Sequence, residues 1–205
     1  MKQSYLIVGT VSFLLILGLY FFIGAREEIV NYPPKSGPVI AFGDSLVQGV
    51  GANVNENFVS LLSEKMGEPI LNRGVSGNTT RDGLTRIDSV LTEEPRIVLL
   101  LLGGNDYIRR IPKEETFNNL RELILKIQES GAVVVLLGVR GGLLVDGFDT
   151  EFENLAEETG SVYVEDVLDG IFGKQALMAD GIHPNSAGYA LIAEKVYREI
   201  EFLLK

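Results

Sequence analysis

Five short apolar segments alternate with amphipathic stretches between residues 38 and 203 of this chain. The apolar segments, which predict β-strands, are PVIAF (38–42), EPILN (68–72), RIVLLLL (96–102), AVVVLLGV (132–139) and SVYVE (161–165). The third and fourth are apolar on both faces, as are central strands of a parallel sheet that helices cover on both sides. The alternation as a whole is typical of βαβ units.

Apolar residues at helical spacing predict five helices between and after these strands. The stripes are Phe58, Leu61, Leu62 and Met66; Leu84, Ile87 and Leu91; Phe117, Leu120, Ile124 and Ile127; Phe152, Leu155 and Ala156; and Ile192, Val196, Ile200 and Leu203. Thr79 or Thr80 is a cap residue for the second helix, and Thr116 precedes the third. Thr150 and Glu153 have the spacing of a capping box for the fourth. The last helix is expected to start near Asn185.

Five strands and five helices in this order predict a three-layer α/β/α sandwich around a five-stranded parallel sheet. Right-handed crossovers leave few arrangements for such a chain, and a flavodoxin-like strand order, 2-1-3-4-5, is the one we expect. In such a sheet, ligands bind beyond the carboxyl ends of the strands, where the strand order reverses. The loops at that edge are therefore the place to look for chemistry.

The N-terminal segment differs from the rest of the chain. Residues 5–25 carry no charge and are long enough to span a hydrocarbon core as a helix. They predict that residues 1–25 form an N-terminal membrane anchor or a signal peptide, and the poor cleavage pattern Ile23-Gly24-Ala25 favours the anchor. Lys2 retained inside would place the domain on the outer side of the membrane. Residues 26–37 are polar and proline-bearing, which predicts a linker before a single domain over 38–205.

Composition excludes several kinds of chemistry. The 205-residue chain has 28 acidic and 18 basic residues, a net charge of -10, without a basic cluster of the kind that nucleic acid requires. It has no cysteine, so disulfides, thiolate metal sites and cysteine nucleophiles are excluded. His183 is the only histidine, which rules out multi-histidine metal sites within one chain. Any imidazole base must therefore be His183.

Polar residues collect in the loops that follow strands one, two, three and five. These loops read GDSLVQG, RGVSGNTT, GGNDY and, further along, ADGIHPN. Each is an ordinary turn when taken alone, with Gly74 explicable by a positive φ and Asp180 by a local turn. Independent turns, however, have no reason to place serine, glycine, asparagine and Asp-x-x-His at one sheet edge. Their joint occurrence favours a catalytic site.

Acyl transfer through a serine ester is the chemistry that needs this set. A serine hydroxyl becomes nucleophilic when a neighbouring base accepts its proton, and a third group must orient that base. Ser45, His183 and Asp180 supply these three roles. The backbone N–H groups of Ser45 and Gly74 and the side-chain amide of Asn105 are candidate donors to the oxyanion. Asp44 and Asp106 are interpreted as structural residues that bond nearby backbone N–H groups.

Four separated blocks resemble those of the SGNH hydrolases, also called the GDSL esterase/lipase family. They are FGDSL (42–46), Gly74 within NRGVSGNTT, GGND (103–106) and DGIHPN (180–185). The resemblance covers nearly all of residues 38–203 and is greatest to the bacterial arylesterase, acyl-CoA thioesterase and lysophospholipase branch. It implies Ser45 as nucleophile, Asp180 and His183 as acid and base, and Gly74 and Asn105 as oxyanion donors. It also implies that no cofactor and no metal takes part.

The substrate is expected to be a small-molecule or lipid ester or thioester. Leu143, Leu144 and Val145, in the glycine-hinged segment VRGGLLVDGF (139–148), either line an acyl groove or simply pack under their loop. Two other functions compete with this interpretation: a carbohydrate O-acetylesterase acting on cell-envelope sugars, and a catalytically silent binding module. Oligomeric state has no signature in the sequence.

Overall fold

The computed structural model describes residues 28–140 and 147–204. Five parallel strands form one sheet: β1 (Val39–Gly43), β2 (Ile70–Gly74), β3 (Ile97–Leu101), β4 (Val133–Leu137) and β5 (Val162–Val164). Their order is β2-β1-β3-β4-β5, which confirms the predicted topology. Gly43 at the end of β1 pairs with Gly74 on one side and with Leu101 on the other. The three strands therefore end together at one edge.

The strand ends differ from those predicted by up to two residues. β2 starts at Ile70 rather than at 68, because Pro69 has no N–H to donate to the ladder, and it continues to Gly74 opposite Gly43. β4 stops at Leu137, two residues early, since the next residue leaves the regular ladder. There the Gly138 N–H donates to the Val164 carbonyl and the Gly138 carbonyl accepts from Val167.

Seven α-helices lie within the described residues. They are α1 (Ser45–Gln48), α2 (Phe58–Met66), α3 (Thr80–Leu91), α4 (Gly104–Ile108), α5 (Lys113–Glu129), α6 (Phe148–Thr159) and α7 (Ser186–Ile200), with 3₁₀ turns at Gln175–Leu177 and Glu201–Leu204. The five predicted helices are present. The two additional ones, α1 and α4, are single turns in segments that the sequence suggested were loops, and both follow strands that carry candidate site residues.

The helix starts were predicted with mixed success. Thr79 caps α3 as expected, and the N3 residue Asp82 completes a capping box with it. Asn185 caps α7 as the predicted start implies. The predicted capping box at Thr150 is wrong: α6 begins at Phe148 after Gly147, which has a φ of 76°. Thr150 therefore lies inside the helix. α5 begins at Lys113, three residues before Thr116.

The core lies between the sheet and two groups of helices. β1, β3 and β4 are buried along their whole length. Helix α2 packs against α7, whereas α5 packs against both α3 and α6. Because the chain reverses direction across the sheet after β2, right-handed crossovers put these two groups on opposite faces. The reversal also opens a crevice beyond the ends of β1 and β3.

Residues 28–37, predicted as a linker, contact the domain. The Asn31 amide donates to the carbonyls of Gln128 and Ala132, at 2.8 and 3.0 Å, and Val30 N–H donates to the Gly160 carbonyl. The predicted hydrophobic helix over residues 5–25 lies outside the described residues. Among residues 28–140 and 147–204, none of the helices has the length and apolarity needed to span a bilayer.

Candidate active site

Ser45, His183 and Asp180 lie in hydrogen-bond contact. His183 Nε2 is 3.1 Å from Ser45 Oγ, and His183 Nδ1 is 2.8 Å from Asp180 Oδ2. These residues are 138 and 3 positions apart in the chain, and only the fold brings the first pair together. The arrangement links a hydroxyl, a base and a carboxylate in one line, which is the geometry that activates a serine.

A turn fixes the orientation of the Asp180 carboxylate. Its Oδ1 accepts from the backbone N–H groups of Ile182 and His183, both at 2.8 Å, which leaves Oδ2 for the imidazole. The hydrogen bond with His183, followed by these two N–H groups, lowers the pKa of Asp180 to about 2. The carboxylate therefore stays ionised at neutral pH, as a group that must stabilise an imidazolium requires.

Ser45 is the first residue of α1, and only Asp44 separates it from the buried end of β1. Asp44 caps this single turn by accepting from the Leu46 N–H at 3.0 Å, which confirms its predicted structural role. Burial raises the pKa of Asp44 to about 6, against the lowering effect of the Leu46 N–H. The strand-to-helix turn thus places Ser45 at the carboxyl edge of the sheet.

Two contacts join the Ser45 loop to the segment that carries His183. The buried Tyr189 on α7 donates its hydroxyl to the Val50 carbonyl at 2.8 Å, and Asn53 N–H donates to Ser186 Oγ at 3.1 Å. A side chain at Gly51 would also strike the Pro184 carbonyl, because its Cβ would lie 2.5 Å from that oxygen. These contacts hold the nucleophile and the base at a fixed separation.

The three predicted oxyanion donors differ in their present partners. The Ser45 N–H has no acceptor among the described residues, whereas the Gly74 N–H donates to Asn72 Oδ1 at 2.9 Å. Asn105 Nδ2 donates to the Asn78 carbonyl at 3.0 Å and to Asp44 Oδ2 at 3.2 Å. Asn105 lines the cleft beside Ser45 and His183, as a donor to a reacting oxygen must.

Gly74 is glycine for a steric reason. Its φ is not positive, so the interpretation that it serves a left-handed turn is wrong. An added Cβ would lie 2.2 Å from the Gln48 nitrogen and 2.7 Å from the Val47 carbonyl carbon. The end of β2 therefore runs directly against the backbone of α1, which brings the Gly74 backbone next to the nucleophile's helix.

Asp106 is structural, as predicted, and its partner is Thr80. The fully buried carboxylate accepts from the Thr80 N–H at 2.9 Å and from the Thr80 hydroxyl at 2.5 Å. This contact joins the start of α3 to α4, the turn that carries Asn105. The loop after β2 and the loop after β3 are thereby fastened together.

An apolar cleft of about 80 Å³ opens beside Ser45. Its non-polar lining consists of Leu46, Ile108, Val139, Leu168, Phe172 and Ile182, joined by Arg140 at the C-terminal side of β4. Ile108 and Ile182 are exposed by 56% and 46%, so they form its rim. The predicted groove residues Leu143, Leu144 and Val145 lie outside the described residues and stay a prediction.

Sequence reasoning missed several residues that support this site. Asn78, Arg86 and Tyr189 hold the loops that carry the predicted catalytic groups. Their roles left no signal in the sequence, because each depends on a contact with another segment: Asn105 for Asn78, the strand ends for Arg86 and Val50 for Tyr189. The apolar cleft residues come from five different segments, and no local pattern joins them.

Comparison with known proteins agrees with this geometry. The chain is 31% identical over 199 residues to an arylesterase of Vibrio mimicus, covering 91% of this chain and 96% of that protein. It is 30% identical over 178 residues to esterase TesA of Pseudomonas aeruginosa, covering 81% and 89%. A crystal structure of TesA superposes with a TM-score of 0.76 at 29% identity, covering 81% of this chain and 99% of that one.

The family model for GDSL-like lipases and acylhydrolases matches residues 41–191, a range that runs from within β1 into the first part of α7 and contains every predicted catalytic residue. With a serine, a histidine and a carboxylate aligned at the carboxyl edge of a 2-1-3-4-5 sheet, the chain belongs to the GDSL-like lipase/acylhydrolase family, the SGNH hydrolases.

Proposed function

We propose that the chain hydrolyses carboxylic esters or thioesters through an acyl-serine intermediate, with Ser45 as nucleophile, His183 as base and Asp180 as orienting acid. The observation that carries this proposal is the unbroken contact from Asp180 Oδ2 through the imidazole to Ser45 Oγ, at 2.8 and 3.1 Å. Relatives named esterase and arylesterase support the reaction class.

The chemistry follows from the geometry. Ser45 Oγ attacks the carbonyl carbon while its proton passes to His183 Nε2, and the carbonyl oxygen becomes an oxyanion. When the tetrahedral intermediate collapses, His183 returns that proton to the leaving alcohol or thiol and the acyl group stays on Oγ. Water then attacks the acyl-serine with His183 again accepting the proton, which releases the carboxylic acid and restores the hydroxyl.

The oxyanion is proposed to bind the open Ser45 N–H and the Asn105 amide. The longer hydrogen bond of Asn105 runs from Nδ2 to Asp44 Oδ2, at 3.2 Å. The N–H group of that bond is the one that would also donate to the oxyanion. The 3.0 Å contact with the Asn78 carbonyl would meanwhile hold the amide in place. Gly74 is the third proposed donor, and its N–H would have to leave Asn72 to take part.

The apolar cleft supports an acyl-binding role. A cleft of about 80 Å³ is small, so it is proposed to hold only a short acyl chain. Further carbons would lie across the exposed rim side chains Ile108 and Ile182. Val139 and Arg140 line the cleft directly before the segment that contains Leu143, Leu144 and Val145, so that segment is proposed to extend the acyl groove.

A p-nitrophenyl ester series from acetate to palmitate tests the reaction and the cleft together. Each buried methylene contributes ~0.8 kcal/mol, so kcat/KM is expected to rise about fourfold per carbon from acetate to butyrate. The gain per carbon should shrink beyond butyrate, where the chain meets only the rim. A maximum at acetate with a steady fall thereafter would reject the acyl cleft and favour sugar O-deacetylation.

The attachment to a membrane is proposed from the sequence. The uncharged residues 5–25 support an anchor that leaves the domain on the outer side, and a lipid ester would then be a nearby substrate. Expression of the full chain followed by alkaline carbonate extraction measures this directly. Retention in the membrane pellet is expected, and release of a chain shortened by about 25 residues would show a cleaved signal peptide instead.

A further inference from the structure

Arg86 on α3 is a half-buried cation without an ion-pair partner in the described part of the chain. Its guanidinium lies 4.0 Å above the ring of Phe42, a fully buried residue of β1. Burial lowers its pKa, although the fields of Asp44 and Asp82 oppose that effect. A buried charge costs free energy unless its donors are all used. The hydrogen bonds of Arg86 therefore identify the segments that it holds together.

All three nitrogens of the guanidinium donate to neutral oxygens of the site's framework. Nε donates to Asn78 Oδ1 at 2.7 Å, Nη1 to the Arg73 carbonyl at 2.8 Å and Nη2 to the Gly43 carbonyl at 2.6 Å. Gly43 is the last residue of β1, Arg73 is the second-last residue of β2, and Asn78 lies in the loop before α3. One rigid planar group thus joins three separate segments.

Each of these segments carries a proposed oxyanion donor or its anchor. Gly43 is two residues before Ser45, and Arg73 is directly before Gly74. The Asn78 carbonyl accepts from Asn105 Nδ2 at 3.0 Å. The Arg86 guanidinium therefore contacts the residue that holds Asn105, the residue directly before Gly74 and the residue two before Ser45, without itself lining the cleft.

We propose that Arg86 is a positioning residue that sets the geometry of the oxyanion site, an inference that rests on the proposed hydrolase function. Stabilisation of an oxyanion depends on donors fixed before the reaction, and an error of about 1 Å costs on the order of a hundredfold in rate. The guanidinium holds the ends of β1 and β2, and Asn78, which anchors Asn105, in fixed positions relative to one another. A lysine, with a single ammonium, does not span the same three oxygens.

Arg86→Met tests this role, with Arg96→Met as its matched control. Arg96 is also largely buried, but it pairs with Glu68 at the opposite end of the sheet, where β3 begins. Arg86→Met is expected to lower kcat for p-nitrophenyl butyrate by about tenfold to a hundredfold while KM changes by less than about threefold. Arg96→Met should lower the Tm without changing kcat. Equal kcat values for the two variants would overturn the proposal.

A double-mutant cycle separates positioning from a general loss of structure. If Arg86 acts through the oxyanion donors, its replacement should cost at least about threefold less in an Asn105→Ala background, where one of the three donors that it positions is already gone, than in the unsubstituted chain. A merely structural role predicts the same loss in both backgrounds, and that result would reject the proposal. Asn78→Ala keeps the arginine and removes only its Nε partner, so it serves where Arg86→Met does not fold. A loss of about threefold to tenfold in kcat at unchanged KM is expected for this variant. An unchanged kcat would also reject the proposal.

Assays of the unsubstituted chain distinguish a failure of this proposal from a failure of the proposed hydrolase function. If it fails to turn over any ester and its Ser45 does not react with a fluorophosphonate, the hydrolase proposal itself is wrong. If it is active while folded Arg86→Met keeps its kcat, only the role of Arg86 is wrong.

Discussion

Ser45→Ala is expected to lower kcat for ester hydrolysis on the order of a million-fold, to the background rate of the assay. The substitution removes the only atom that can form the acyl-enzyme, and His183 then has no hydroxyl to deprotonate. The fold should be unaffected, because the one side-chain hydrogen bond of Ser45 in the described residues is with His183 Nε2 at 3.1 Å. The Tm should therefore stay near that of the unsubstituted protein.

The measurement is the rate of p-nitrophenyl butyrate hydrolysis, paired with labelling by a fluorophosphonate. Ser130→Ala is a suitable control, since Ser130 Oγ donates to the Ile127 carbonyl after α5 and has no contact with the cleft. Only the Ser45 peptide should gain the mass of the phosphonyl group. Full activity of Ser45→Ala in a clean preparation would refute the nucleophile assignment. An inert, unlabelled wild-type chain would favour a binding module.

The sequence predicted the sheet and the meeting of the three catalytic residues for one physical reason. Continuous apolar runs are typical of buried parallel strands, and the carboxyl ends of such strands necessarily share one edge. Ser45 and His183 could therefore be placed together across 138 residues before any contact was known. The handedness of the crossovers left few strand orders to consider, and the flavodoxin-like order preferred among them is the one observed.

What the sequence did not predict depends on contacts between distant segments. The turns α1 and α4 are each five residues or fewer, too short for a hydrophobic period to appear. Gly74 was explicable by backbone conformation, whereas the actual cause is the approach of Gln48 from another element. Asn105 donates to Asp44 and to Asn78, and neither hydrogen bond could be predicted from the sequence. Local patterns indicate where the chain turns but not which atoms then meet.

Asp180→Asn is expected to lower kcat by about ten-thousandfold, although it changes only one atom in the carboxylate. Asn Oδ1 can still accept from the N–H groups of Ile182 and His183, so the turn survives. Its NH₂ group would then face His183 Nδ1, where Oδ2 now lies at 2.8 Å. A donor in that position forces the imidazole proton onto Nε2, which can no longer accept the proton of Ser45.

The pKa of Asp180 decides how this variant should be compared with the wild type. Because the His183 contact lowers that pKa to about 2, the wild-type carboxylate is ionised throughout any assay above about pH 4. Acid alone therefore does not reproduce the effect of the amide within that range, and the loss in Asp180→Asn should persist from about pH 5 to 8. Asp169→Asn, at an exposed position outside the site, should keep full activity across the same range.

A second variant distinguishes a wrong tautomer from the loss of a negative charge. Asp180→Ala removes the charge but places no donor opposite His183 Nδ1, so solvent can accept from that nitrogen and the productive tautomer is accessible. It should therefore retain more activity than Asp180→Asn at every pH. If the two variants are equally impaired, the carboxylate acts through its charge rather than by orienting the proton. If Asp180→Asn stays within about tenfold of the wild type, Asp180 is not the third member of this site.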